Sequence, residues 1–355
     1  MRLTALSGFG VKGPACFLLE IDGRRLLLDL GRGPDGDALP DLAGVGRVDA
    51  ILFSHGHVDH TGGLHLAGQV GNPLLFAPEP SIALSPDPAM QAARPLADFA
   101  ALGLPFDHGP SGHAPGASWM RIGGEGGLVY TGDVSAESGL YRCTLPPPAR
   151  VMVFDASYGA ADQPLAGQMA ALLALADRPL LLPAPAGGRG LEMALAFLYA
   201  GHRVSLCAAH RMVAETMARR PGWLTSGGAA ALDRLLSAAA PLMPESPLTG
   251  VMIAAGPNAE RGTSAPLAAR MVDEGTGRVV FTGHLAGGTP APDWVAAGRA
   301  LFRRWNVHPT LTGTRALFEA VRPEQAMPAF CPPEAAAELA AALGRPLVGA
   351  KEIIW

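Results

Sequence analysis

The feature that most constrains this chain is a cluster of three histidines and an aspartate in FSHGHVDHTGG, residues 53–63. The cluster follows AILFS, an apolar run that reads as a buried strand. In extended backbone, side chains two residues apart point the same way, so His55 and His57 can bind one ion from the end of that strand. Asp59 and His60 then fall on the following turn and face a neighbouring position. Because imidazole and carboxylate are ordinary ligands of zinc and related ions, the spacing predicts a metal site.

Composition sets the broad class of the protein. With 49% hydrophobic and 16% charged residues, the 355-residue chain is predicted to be globular. A net charge of −4 argues against nucleic-acid binding, which usually uses a basic face, but does not exclude a local arginine patch. Four separated cysteines without a CxxC pair, and an N-terminus without a signal-peptide core, are typical of the cytosol. We therefore expect a cytoplasmic protein with no membrane contact, and a homodimer is left open.

Alternating apolar runs predict the secondary structure. ACFLLEI and RRLLLDL flank Asp22-Gly23, which is a two-residue hairpin signal. Further along the chain, strand-like runs alternate with helical stretches such as LEMALAFLYA. This alternation predicts α/β architecture with parallel sheets, in two layered regions that meet near residue 161. The other strand candidates are AILFS, LVYT, VMVFD, PLLLPAP, RVSLCAA, VMIAAG and RVVFTG.

Two later residues complete the candidate metal site. His113 lies in the glycine-rich GHAPGAS, and Asp133 ends a strand candidate in YTGD. Either residue alone is more often structural, but in this order after HxHxDH both become candidate ligands. In these motifs the sequence resembles the metallo-β-lactamase superfamily. The resemblance implies one metal held by His55, His57 and His113, a second held by Asp59 and His60, and Asp133 bridging them. It also implies that Asp29, in LLLDLG, only supports the site through hydrogen bonds.

The next motifs resemble the β-CASP branch of that superfamily, which includes RNA-processing and DNA nucleases. VMVFDASYG matches its motif A and assigns Asp155, and RRWNVHPTLTG falls where its motif B assigns His308. The resemblance implies a four-layer αβ/βα metallo-β-lactamase fold with an inserted α/β β-CASP domain. The fold would be built from residues 1–160 and 298–355, with the β-CASP domain at 161–297.

The resemblance also implies the chemistry. It predicts a binuclear hydrolase with two divalent ions, zinc with manganese as the alternative, and adds Asp59 to the catalytic residues. His308 would be the general acid for the departing oxygen, oriented by Asp155. Because Asn-Val-His-Pro-Thr departs from the usual motif, His308 could instead be a surface histidine. Arg189, in the GGRG turn, could bind a backbone phosphate or merely pair with Glu192 or an interdomain carboxylate.

One expected ligand is missing. QAMPAFCPPEAAAEL aligns Phe330 with the motif C histidine of the branch. If the alignment is shifted by one residue, Cys331 takes that position. A thiolate can bind zinc, although a buried core cysteine is the alternative. We therefore expect the second metal to bind more weakly than the first.

Together these features favour a phosphodiesterase that acts on RNA. The alternatives are a DNA nuclease, a small-molecule hydrolase of the lactonase, thioesterase or lactamase kind, and a catalytically weakened scaffold. The acidic charge balance favours the small-molecule hydrolase, whereas the insertion and motif A disfavour it. The absence of the motif C histidine favours two of these alternatives, the DNA nuclease and the scaffold.

Overall fold

The computed structural model describes residues 1–355, and internal contacts divide the chain into two compact units. Unit 1 comprises Met1–Ala136, Arg142–Asp162 and His308–Trp355. Unit 2 comprises Glu137–Tyr141 and Gln163–Val307. Each unit has its own sheets and its own hydrophobic core.

The strands alternate with helices along most of the chain, as the sequence predicts. In chain order the strands are β1 (Arg2–Ser7), β2 (Cys16–Ile21), β3 (Arg24–Leu28), β4 (Ala50–Leu52), β5 (Leu74–Ala77), β6 (Arg94–Pro95), β7 (Phe106–Pro110), β8 (Ser118–Ile122), β9 (Leu128–Tyr130), β10 (Val151–Asp155), β11 (Leu180–Ala184), β12 (Val204–Cys207), β13 (Ala240–Leu242), β14 (Val251–Ala255), β15 (Arg278–Phe281), β16 (Leu301–Phe302), β17 (Gln325–Ala329) and β18 (Glu352–Ile354).

The helices are mostly short. In chain order the α-helices are α1 (Val58–Thr61), α2 (Glu79–Leu84), α3 (Pro88–Gln91), α4 (Leu165–Leu173), α5 (Gly190–Tyr199), α6 (Ala208–Ala218), α7 (Gly228–Ala238), α8 (Ser264–Glu274), α9 (Pro290–Ala296), α10 (Leu311–Val321) and α11 (Pro333–Leu343). The 3-10 helices are Leu64–Val70, Leu96–Leu102, Gly124–Gly126 and Pro221–Trp223. None of the helices has the length and apolar character needed to cross a membrane.

Unit 1 contains two sheets. One has seven strands in the order β18-β1-β2-β3-β4-β5-β6, and the other has five in the order β17-β10-β9-β8-β7. The predicted hairpin joins β2 and β3, whose antiparallel register pairs Ile21 with Arg24. Its turn residues, Asp22 at φ 47° and Gly23 at φ 75°, are both left-handed, as a two-residue turn of this kind requires.

The layers of unit 1 follow from which side chains are buried together. Between the sheets, Phe17 and Leu52 of the first share a core with Met120 and Val153 of the second. The outer face of the first sheet packs on the 3-10 helix 64–70. The outer face of the second is covered by α10 and α11. These four layers confirm the predicted metallo-β-lactamase type of fold.

Unit 2 is built on a parallel sheet of six strands, in the order β13-β12-β14-β11-β15-β16. The central strands β11 and β14 are buried along nearly their whole length, which explains their uninterrupted apolar sequences. Strand β16 pairs with β15, so the chain stays in unit 2 beyond the expected boundary at residue 298 and returns to unit 1 at His308. The identification of unit 2 as a β-CASP domain stays a prediction.

Candidate metal centre

The candidate ligands come from loops at the ends of buried strands in unit 1. His55 and His57 follow β4, and Asp59 and His60 lie in the single turn of α1. His113 lies in the connection between β7 and β8, and Asp133 follows β9. All belong to unit 1, and they form two groups that share Asp133.

The first group, called here the histidine group, consists of His55, His57, His113 and Asp133, whose ligand atoms all lie within 4.8 Å of one another. The Nδ1 of His57 is 3.1 Å from the Nε2 of His113. The Oδ2 of Asp133 lies 3.3 Å from the His113 Nε2 and 3.9 Å from the His55 Nε2. Three nitrogens and a carboxylate therefore converge on one small volume.

The second group, called here the aspartate group, consists of Asp59, His60 and Asp133. The His60 Nε2 is 3.3 Å from the Asp133 Oδ1, so the two oxygens of Asp133 face different groups. A carboxylate in this position can join two ions. The structure therefore brings together all six residues that the sequence predicts as ligands, and their binding of metal stays a prediction.

The hydrogen bonds around the histidine group fit a metal. The His55 Nε2 is buried and has no hydrogen-bond partner, which is costly unless an ion occupies the position. Its Nδ1 lies 3.0 Å from the Ser54 hydroxyl, so it can donate there and leave Nε2 with a free electron pair. The donor set of imidazoles and carboxylates suits zinc or manganese.

Asp29 supports this arrangement through hydrogen bonds, as predicted. It is fully buried, and its Oδ2 accepts hydrogen bonds from the Tyr130 hydroxyl at 2.5 Å and from the Ser54 hydroxyl at 2.8 Å. The same oxygen lies 2.7 Å from the His60 Nδ1. This contact holds the His60 proton on Nδ1 and leaves Nε2 facing Asp133.

The protonation equilibria reflect this crowding of charges. Burial lowers the pKa of His55 well below its usual value, and the neighbouring His60 and His57 add to the effect. Burial opposes the charged form of His60 as well, but Asp133 and Asp29 outweigh it and raise the pKa of His60. Burial alone would raise the pKa of Asp133, yet the surrounding imidazoles hold that pKa well below its usual range.

A further histidine joins the site from far along the chain. The His308 Nδ1 lies 2.8 Å from the Asp155 Oδ2 and 3.8 Å from the Asp133 Oδ2. Asp155 is fully buried and also accepts hydrogen bonds from the backbone N–H groups of Val134 and Ser157. His308 is therefore no isolated surface histidine, because a fixed carboxylate orients its ring.

Two rings pack on His308. The His113 ring lies 4.9 Å from it, between centroids, and the Tyr158 ring meets it edge-on at 5.0 Å. Tyr158 belongs to the turn that follows β10, so the DASYG stretch supplies both a hydrogen-bonding partner and an apolar support for His308.

The position expected for a motif C histidine is beside the aspartate group. Phe330 is buried there, and its ring lies 5.3 Å from the His60 ring, between centroids. Its φ of 64° is left-handed, and its N–H donates to the Gly8 carbonyl at 2.8 Å. A phenyl ring offers no ligand atom, so the aspartate group has one imidazole where the histidine group has three.

Cys331 is placed differently from Phe330. It is buried in the cluster that contains Phe154 and Phe318, and it belongs to neither metal-holding group. Burial raises the pKa of its thiol to about 11, with a further contribution from Asp155. Cys331 therefore packs as a core cysteine in this structure.

Arg189 lies in unit 2, directly before α5, and is buried. Its Nε donates to the Thr282 hydroxyl at 2.7 Å, and a side chain at Gly283 would collide with its guanidinium. Glu192 is also buried and accepts a hydrogen bond from the Gly139 N–H at 3.2 Å. The substrate-binding role of Arg189 stays a prediction.

Sequence reasoning missed several residues that shape the site. Ser54 and Tyr130 had a signal, since they occupy the strand ends that carry the ligands. The contact of Tyr158 with His308 had none, because it depends on residues 150 positions apart being brought together by the fold.

The same geometry agrees with what the sequence matches elsewhere. A profile of the metallo-beta-lactamase superfamily matches residues 9–184, which include the histidine and aspartate groups. Residues 9–184 belong to the metallo-β-lactamase superfamily. Its members use divalent metals, and the two groups described above could hold such ions.

Curated relatives include proteins of the β-CASP branch. Transcription termination factor FttA of Cenarchaeum symbiosum is 28% identical over 247 residues, covering 54% of this chain and 38% of the relative. Ribonuclease TTHA0252 of Thermus thermophilus is 31% identical over 185 residues, covering 43% and 42%. Cleavage and polyadenylation specificity factor subunit 2 of Oryza sativa is 43% identical over 70 residues, covering 19% and 10%. This chain thus spans about two fifths of the length of the first two relatives.

A solved structure of similar shape is a protein of unknown function from Enterococcus faecalis V583. It covers 100% of this chain and 99% of its own, with a TM-score of 0.57 and 13% sequence identity. At that identity the match supports a shared fold and carries no statement about activity.

Proposed function

We propose that this protein is a metal-dependent phosphodiesterase of the β-CASP type that hydrolyses RNA. The observation that carries this function is the pairing of His308 with buried Asp155, 2.8 Å apart, directly beside Asp133. A site that only activates water has no need of an oriented histidine there. A site that expels a ribose alkoxide does, because the departing oxygen must gain a proton.

The proton step follows from the hydrogen bonds of His308. Its Nδ1–H donates to the Asp155 Oδ2, so the other ring nitrogen, Nε2, is available to carry a proton to the leaving oxygen. Asp155 fixes the plane of the imidazole, while the backbone N–H groups of Val134 and Ser157 hold the carboxylate. His308 is thus the general acid and Asp155 the residue that positions it.

The metal ligands divide as the two groups do. His55, His57 and His113 would hold one ion, Asp59 and His60 the other, with Asp133 shared. When bound, two divalent ions, zinc or manganese, would supply the activation of water and the neutralisation of charge on the phosphoryl group. Asp59 would contribute to catalysis as a ligand of the second ion, in the aspartate group, which has only one imidazole.

Relatives support RNA as the substrate. One is a ribonuclease and others are named for transcription termination and for cleavage and polyadenylation. RNA is therefore favoured over DNA, and Arg189 is assigned to a backbone phosphate. The competing function is a small-molecule ester, lactone or lactam hydrolase on the same site, which the net charge of −4 favours.

An assay on four substrate classes tests this function. Labelled single-stranded RNA, single-stranded DNA, duplex and a neutral ester are incubated with the chain and Zn²⁺ or Mn²⁺, across a salt series. We expect cleavage of RNA, with KM rising steeply with salt because bound phosphates release counterions. Turnover of the ester with a KM that ignores salt would establish the small-molecule hydrolase instead. Binding of RNA without cleavage of any substrate would establish the scaffold.

A further inference from the structure

A glycine-rich loop, residues 8–14, borders the aspartate group. It joins β1 to β2 and is fastened at both ends to residues of the candidate centre. At its start, the Gly8 carbonyl accepts the N–H of Phe330, whose ring packs on His60. Just beyond its end, the Ala15 N–H donates to the carbonyl of Asp59 at 2.8 Å. The loop therefore keeps a fixed position beside Asp59 and His60.

The loop also comes close to the Asp59 side chain. A Cβ built on Gly13 would lie 3.8 Å from the Asp59 Cβ, in ordinary van der Waals contact. The tip is open to solvent, since the Val11 side chain is 47% exposed. Lys12 lies between these two residues and is partly exposed.

Lys12 carries an unneutralised charge at this place. Its ammonium group makes no hydrogen bond or ion pair with the protein. Arg32 also lies against α1, since its backbone N–H donates to the Val58 carbonyl, but its guanidinium is already paired with Asp37 at 3.3 Å. Lys12, which directly precedes Gly13 in the loop, is thus a cation that remains available to a ligand.

Because the protein has a net negative charge, a cation in this loop would favour the binding of a polyanionic substrate. A chain with a net charge of −4 repels polyanions, so the phosphates on either side of the scissile bond need local positive charge to remain bound. An ammonium group on a flexible stem suits a phosphate oxygen as a point charge.

We propose that Lys12 binds a non-bridging oxygen of the substrate's phosphodiester backbone and that the loop 8–14 is a substrate-binding element on the Asp59 side of the centre. This role rests on the proposed function and adds a binding residue to it. Lys12 takes no part in holding metal or in proton transfer.

Kinetics of three variants test this role. Lys12→Gln removes the charge, Lys12→Arg keeps it, and Lys351→Gln is the matched control, because Lys351 is the only other lysine of the chain. For single-stranded RNA we expect Lys12→Gln to raise KM about fivefold and leave kcat within about twofold. The slope of log KM against log salt should fall by about 0.7, the share of one single-strand phosphate contact. Lys12→Arg and Lys351→Gln should stay near the unmodified chain, and metal content should be equal in all four proteins.

Chemical footprinting of Lys12 and Lys351 gives an independent test, because it leaves both lysines in place. The full metal-loaded chain carrying His308→Gln is acetylated with and without RNA, and modification of each lysine is measured by mass spectrometry. Phosphodiester RNA should protect Lys12 and leave Lys351 reactive, whereas an oligonucleotide with a neutral methylphosphonate backbone should protect neither.

The outcomes distinguish the role of Lys12 from the proposed nuclease function. If RNA is bound and cleaved while Lys12 stays fully reactive and Lys12→Gln keeps its KM, the role of Lys12 is wrong and the nuclease stands. A loss of metal or a collapse of kcat in Lys12→Gln would make the loop a support of the centre, which also overturns the role. If no oligonucleotide is bound or cleaved, the proposed function fails and the role of Lys12 fails with it.

Discussion

Buried ionisable groups are arranged differently in the two units. In unit 1, imidazoles and carboxylates converge on Asp133, and the His55 Nε2 has no hydrogen-bond partner. In unit 2, the buried Glu192 and His210 are each bonded to an uncharged neighbour. Glu192 accepts the Gly139 N–H, and the His210 Nε2 lies 3.1 Å from the Pro185 carbonyl. No metal-holding group occurs in unit 2.

The difference separates ligand sites from structural polar groups. Convergence of like donors costs free energy unless a ligand is bound, whereas a single group satisfied by its neighbours needs nothing further. Substitutions in the convergent region should therefore change metal content and activity, and substitutions of the dispersed groups should change stability.

The largest effect is expected from His57→Ala. The histidine group loses one of its three nitrogens, so bound metal should fall and hydrolysis should drop to background. Metal analysis and the RNA assay measure both. His65→Ala, an exposed histidine of the next helix, is the control and should behave as the unmodified chain. Full activity in metal-analysed His57→Ala would refute the binuclear centre.

His308→Gln and Asp155→Asn should separate proton transfer from metal binding. Both variants should keep their metal but lose kcat by about 10²- to 10⁴-fold, the usual contribution of a general acid. A substrate with a good leaving group, such as a nitrophenyl phosphodiester, should recover much of the loss because its departing oxygen needs no proton. If all substrates suffer equally, His308 does not act as the acid.

The two groups within unit 1 should also differ in affinity. The histidine group should bind one ion tightly and the aspartate group a second ion more weakly, so activity should rise with added divalent ion. Phe330→His places an imidazole beside His60 and should tighten the weaker site about tenfold. Stepwise chelation followed by metal analysis measures each affinity.

Cys331→Ser is the control for that comparison, because the thiol is buried in an apolar cluster and should leave both affinities unchanged. Two equally tight ions in both the unmodified chain and Cys331→Ser would show that some other ligand completes the aspartate group.

The smallest effect is expected in unit 2, on stability. Burial raises the pKa of Glu192 to about 7, against opposing hydrogen bonds from Ser138 and Gly139. The folded state therefore keeps this proton where the unfolded chain, with its usual value near 4.5, has lost it. The free energy of unfolding should fall as pH rises across that interval, by at most about 3 kcal/mol.

Glu192→Gln should remove this pH dependence and stabilise the protein above about pH 7. Denaturant unfolding at several pH values measures it, with Glu215→Gln, an exposed helical residue of unit 2, as the control. A pH dependence that persists in Glu192→Gln would place its source elsewhere.

Local sequence was sufficient for the elements of the fold. The Asp22-Gly23 turn and the apolar runs of β4, β9, β10 and β14 can be recognised from the sequence. Turn chemistry and burial on both faces each determine the residue types within a few positions. The ligands were predictable for the same reason, since four of them lie within six positions.

What local sequence does not encode is which distant side chains meet. The Tyr130 hydroxyl donates to Asp29 across 101 positions, and the strand-end position of Tyr130 indicates that it lies near the site without indicating this partner. The short strand β16 was missed because two residues carry too little pattern, and its pairing with β15 moved the unit boundary. The left-handed Phe330 depends on its contacts with Gly8 and His60, which only the fold provides.

The interrupted layout of unit 1 also sets an order of events during synthesis. Every member of the histidine and aspartate groups lies within the first 133 residues, whereas His308 and β17 follow only after all of unit 2. Until then one edge of β10 has no neighbour, because β17 pairs there in the finished sheet. A chain emerging from the ribosome therefore carries the histidine and aspartate groups long before it carries His308, and the proposed proton transfer must await the synthesis of unit 2.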